Sequence, residues 1–184
     1  MAVPNEGKTM ESTIDEAPLA GDEVSTLLGF LDYHRAILRR KCEDLTADQL
    51  NRRLPPSIMT LGGMLKHLAV VESSWFSEDL AGGNLMAPFD TVDWSADRDW
   101  EWHSTAQDGP EDLLALYDAA IEESRRIVAE KLAPGSLDTL AVQPTRSGEH
   151  PSLRWILVHM IEEYAQHNGH ADLIRESIDG RVGY

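Results

Sequence analysis

The sequence predicts an all-α protein, a four-helix bundle, and three observations predict it. Four long stretches carry apolar residues at helical spacing, each stretch is bounded by capping or breaking residues, and no strand-like alternation competes with them. Thr139–Val142 is the one piece short and extended enough to read as strand.

Residues 1–20 show no period and few large apolar groups, and read as a disordered N-terminal tail before a single bundle domain over 21–184. Asp22 opens the first amphipathic segment, which runs to Glu43 with Val24, Leu27, Leu28, Leu31, Ile37 and Leu38 on one face. The connector 44–58 contains Pro55-Pro56, which a helix interior does not tolerate, and has room for one helical turn at 47–50. Thr60 is a suitable N-cap for the second helix, which reaches Leu80 and stops at Gly82-Gly83. Residues 82–109 form a polar stretch bearing Trp94, Trp100 and Trp102. A stretch of that length without a period is uncommon in a compact domain, so it is expected to fold over an opening, with one short helix. Pro110 starts the third helix, which ends at Leu132 before Pro134-Gly135, and the fourth runs over 151–178 with Gly180 closing it.

Composition excludes several classes. The formal net charge is −16 and the pI near 4.7, which disfavours nucleic acid and anionic membrane surfaces as partners. One cysteine, Cys42, allows neither an internal disulfide nor a thiolate zinc cluster. No apolar run approaches a membrane span, and the N-terminus lacks a signal-peptide pattern, so a cytoplasmic protein is expected.

The chemistry concentrates on the fourth helix. With His159 at zero on a helical wheel, Glu163 falls at about 40° and His167 at about 80°, and the apolar face centres near about 100°. Both side chains therefore point inward and, four residues apart, meet on one face. A lone buried carboxylate is costly and needs a cation, a donor or a proton. The pair suits two ligands of one metal ion, although such a pair in a helical core more often satisfies itself by a hydrogen bond. Catalytic zinc sites use three protein ligands and one open position. The best third candidate is His67, near the edge of the stripe formed by Leu61, Met64, Leu68 and Trp75 on the second helix. His170 lies on the flank of the same face as a candidate proton carrier. His34, His103 and His150 read as surface or loop histidines, and Cys42 as a packed small side chain.

The segment from Thr60 through His67 to Trp75-Phe76 resembles the second helix of the DinB/YfiT-like superfamily. The segment from His159 through Glu163, His167 and His170 to Arg175 resembles its last helix. The resemblance spans residues 22–180. It implies a four-helix bundle holding a divalent metal, zinc or nickel, by one ligand from the second helix and two from the last, here His67, Glu163 and His167. Many members use three histidines. Glu163 departs from that pattern and is similar to the mycothiol-dependent maleylpyruvate isomerase branch. The implied function is activation of a low-molecular-weight thiol, such as mycothiol or bacillithiol, for S-transfer to an electrophilic small molecule. Three alternatives stay open: thiol-dependent cis–trans isomerisation, metal-dependent hydrolysis, and a non-catalytic, stress-linked metal-binding bundle. Arg154, Arg146 and Trp75 are candidate contacts for thiol or substrate, and the family's habit implies a homodimer.

Overall fold

A computed structural model describes residues 14–183. Its long helices are α1 (Glu23–Cys42), α3 (Leu61–Glu72), α5 (Pro110–Leu132) and α6 (Leu153–Asp179), with single helical turns α2 (Ala47–Leu50) and α4 (Trp100–His103) between them. Among the described residues the only β pairing is an isolated antiparallel bridge between Leu140 and Ser152. It lies in the segment whose sequence reads as extended, and it ties the chain before α6 back onto the loop after α5.

The helix starts follow from side-chain chemistry. Asp22 accepts the Ser25 N–H at 2.8 Å, Thr60 accepts the Gly63 N–H at 2.9 Å and Ser152 accepts the Trp155 N–H at 3.3 Å. Each satisfies one backbone donor that a helix N-terminus leaves without an internal partner. Thr46 and Gln49 form a reciprocal capping box around α2. Gly180, at φ 78°, ends α6 in the left-handed region where a side chain would be strained.

The second long helix departs from its sequence expectation in one respect. Past Glu72 it continues as a π-helix over Ser73–Leu80; Ala81 N–H reaches Phe76 C=O across five residues. The widened winding buries Ser73, Phe76, Ser77 and Leu80, and the Ser73 hydroxyl accepts the Met86 N–H at 2.8 Å, anchoring the loop that follows.

In the bundle α1 packs on α6 and α3 on α5, while α3 also meets α1 and α6. Leu31, Leu38, Leu65, Leu68, Leu157 and Met160 are fully buried, and each such side chain contributes about 1.5–3 kcal/mol relative to exposure. A buried ion pair crosses this core. Arg35 of α1 donates to both oxygens of Glu72 at 2.8 and 2.6 Å, the Tyr164 hydroxyl donates to the same carboxylate at 2.8 Å, and the Tyr117 hydroxyl donates to the Arg35 carbonyl at 3.1 Å. No helix among the described residues is long and apolar enough to cross a membrane.

The expected tail lies outside the described residues over 1–13. Residues 14–20 carry no helix. A Cβ on Gly29 of α1 would come within 2.7 Å of the Pro18 side chain, so this segment already lies on the bundle.

Candidate metal centre

Glu163 and His167 occupy successive turns of α6, and His67 faces them from the middle of α3. Glu163 Oε1 lies 3.5 Å from His67 Nε2 and 3.6 Å from His167 Nε2. One potential ligand atom from each of the three residues falls within 4.8 Å of the others. A tetrahedral zinc ion with bonds of about 2.0–2.1 Å places its ligand atoms roughly 3.4 Å apart. The separations to Glu163 thus fit a shared divalent ion, and two imidazoles with one carboxylate are a donor set zinc accepts.

Electrostatics point the same way. Burial acts to lower the His67 pKa, but hydrogen bonds to Glu101 and Glu163 overcome it and raise the pKa to about 9. Hydrogen bonds from His167 and His67 hold the Glu163 carboxyl well below the usual carboxylate range. Without a metal, the cluster therefore holds a proton where a cation would sit.

The stretch 82–109 supplies the cover through Trp102, one of the three tryptophans its sequence offers, together with Glu101, which the sequence did not single out. The Trp102 ring stacks on His67 at 5.1 Å with 28° between planes, and its centroid is 6.3 Å from that of His167. Glu101 Oε1 accepts from His67 Nδ1 at 3.1 Å and is 6% exposed. This segment is fastened to α3 at two further points. A Cβ on Gly63 would come within 2.3 Å of the Trp102 ring, so the indole packs directly on bare backbone. Lys66, its side chain 3% exposed, donates to Ser104 Oγ at 2.8 Å and Asp108 Oδ2 at 2.6 Å, and its ammonium lies 4.3 Å from the Trp100 ring centroid. A signal for this was present in the sequence: Gly62-Gly63 in the first turn of a helix sacrifices helix propensity and marks a close approach.

The remaining candidates are placed as follows. His170 neighbours His167, with ring centroids 5.8 Å apart, and its buried Nδ1 finds no partner among the described residues. Trp75 lies two turns beyond His67, about 12 Å of helical rise, in an aromatic cluster with Trp155 at 5.4 Å and His159 at 4.9 Å. Arg154 lies apart from the three-residue cluster. It precedes His167 by about 20 Å of helical rise, and its guanidinium pairs with Glu23 at 2.7 Å and with Asp138. It holds the start of α6 in place and is not brought to the three ligands. Arg146 lines a groove of about 420 Å³ with Trp75, Asp79 and Pro144. His103 pairs with Asp97 at 2.9 Å, His150 donates to the Ala141 carbonyl at 2.9 Å, and His34 is held by Asn168 through its carbonyl at 3.0 Å. Burial pushes the Cys42 thiol up to about 12.

Fold and site together define an all-helical bundle with a His–Glu–His cluster that could hold a metal ion between its second and last long helices. The family model described as Mycothiol-S-transferase matches residues 26–180, and the chain belongs to this family, a DinB/YfiT-like one. No curated protein matches it.

Proposed function

We propose that this protein is a metal-dependent S-transferase that activates a low-molecular-weight thiol of the mycothiol class and joins it to an electrophilic small molecule. The observation that carries the reading is the convergence of His67, Glu163 and His167 from two separate helices, in a chain of the Mycothiol-S-transferase family.

His67, Glu163 and His167 would hold the ion, and zinc matches their donor atoms best. When bound, a divalent cation supplies positive charge that favours the deprotonated, nucleophilic form of an entering thiol. Glu163 brings the only negative charge of the donor set, so the neutral imidazoles leave much of the cation's charge uncompensated. Trp102 covers one face of His67 and limits water there. His170, beside His167, is the group on hand to take the thiol proton. The sulfur then forms its bond to an electrophilic carbon, and the leaving group departs with the bonding electron pair. The chain's own thiol does not compete, since Cys42 is buried and protonated throughout the neutral range.

The test is a conjugation assay with purified zinc-loaded protein, mycothiol and a halogenated bimane, read by mass spectrometry. An S-conjugate should form with metal, and disappear on chelation and in His67→Ala with its circular dichroism unchanged. Product formation at the same rate after metal removal would refute the mechanism. Turnover of an ester or amide with water alone would favour a hydrolase.

A further inference from the structure

We infer that Glu101 is a positioning residue: its carboxylate grips His67 Nδ1 and so aims Nε2 at the Glu163–His167 pair. The inference rests on the metal reading above. His67 is bracketed by two carboxylates, Glu101 at Nδ1 and Glu163 at Nε2, at 3.1 and 3.5 Å. A ring held through Nδ1–H presents its Nε2 lone pair outward, and this hydrogen bond selects the tautomer able to ligate. The grip is itself braced. Glu101 is buried, and its neighbour Trp102 is seated on Gly63 and stacked on His67. Three to seven residues further on, Ser104 and Asp108 are tied to Lys66, the residue next to His67. One short segment therefore fixes both the rotation of the ring and the plane it lies in. His167 has no such brace, because its buried Nδ1 finds no partner among the described residues. Preorganisation of the donor set then depends on the α3 side, and Glu101 provides it. The second oxygen, Oε2, is buried without a partner among the described residues. That is a cost this carboxylate bears only because its first oxygen is committed to His67.

The experiment measures zinc affinity by competition with a chromophoric chelator, alongside nitrogen-15 spectra of the histidine rings in zinc-loaded and metal-free protein. Glu101→Ala should bind zinc about 10–100-fold more weakly and lose the single Nδ1–H tautomer at His67. Glu101→Gln, whose amide oxygen still accepts from Nδ1–H, should recover most of the affinity. Glu101→Ala with affinity within twofold of wild type overturns the inference, as does Glu101→Gln losing as much as Glu101→Ala. If Glu101→Ala does not fold, Glu101→Asp carries the comparison: weakened zinc binding with unchanged circular dichroism supports the inference, and wild-type affinity overturns it. If the wild-type protein takes up no divalent metal, the metal reading fails separately. In that case the His67 N–H proton resonance of the metal-free protein still shows whether Glu101 holds the ring.

Discussion

Glu163 Oε1 stands 3.5 Å from His67 Nε2, although 96 positions of sequence separate the two residues. The same oxygen stands 3.6 Å from His167 Nε2, one turn along its own helix. A single carboxylate atom thus sits between two imidazoles brought together by the packing of α3 on α6.

Substitution of the donors should act on binding before it acts on folding. His67→Ala, Glu163→Gln and His167→Ala should each lower zinc affinity and thiol transfer by more than the roughly 10–100-fold that loss of an outer-shell partner costs. Their far-UV circular dichroism should be unchanged. Elemental analysis of the three variants beside wild type checks this.

Proton and metal should compete for His67. Its pKa in the folded, metal-free protein is about 9, above the ordinary 6.5. The stability it contributes is fully present below about pH 6.5 and is lost as pH rises through 9. Melting temperatures of the metal-free protein should therefore fall from pH 6.5 to 9.5. Zinc requires the deprotonated ring, so the stabilisation it confers should grow over the same interval. Thermal melts with and without zinc at four pH values read both trends, and parallel curves would contradict the competition.

Gly63→Ala sets two effects against each other. Alanine improves helix propensity by up to about 1 kcal/mol, but its Cβ would come within 2.3 Å of the Trp102 ring. Overpacking of this kind costs about 1–3 kcal/mol, so the clash should win. The expected outcome is a lower melting temperature, altered tryptophan fluorescence and reduced transfer activity.

The Arg35–Glu72 pair should be costly to break and cheap to replace. Arg35→Ala leaves Glu72 buried without its cation, and should cost about 3–5 kcal/mol by urea denaturation. Arg35→Met combined with Glu72→Leu should recover most of that loss, limited by the Tyr164 hydroxyl that then lacks its acceptor.

Thiol labelling provides a check on the core. Cys42 is 1% exposed with its thiol raised to about 12. It should resist iodoacetamide at pH 8 in the native state and react readily in denaturant.

Periodicity made the helices legible, because Leu31, Leu38, Leu65, Met160 and their like recur at the spacing that buries one face. The inward aim of Glu163 and His167 followed from the same wheel. Trp102 was legible only as one of three tryptophans in a stretch expected to cover an opening, and Glu101 was not legible at all, since both sit where the sequence has no period. Their positions depend on contacts with Gly63 and Lys66, some 40 residues earlier. Arg154 shows a related limit: an arginine's charge shows in the sequence, but its pairing with Glu23 and Asp138 does not. The π-helical winding of Ser73–Leu80 was hidden because its apolar spacing also satisfies an ordinary helix.

His67, Glu163 and His167 stand on long helices, while the roof beside them is built from turns of three or four residues pinned at Gly63 and Lys66. Scaffold and roof are therefore separable under selection. Changes between Leu85 and Gln107 that spare Glu101, Trp102 and Ser104 can alter the cover beside His67 while leaving the long helices as they are, so sequence divergence among relatives should accumulate there first.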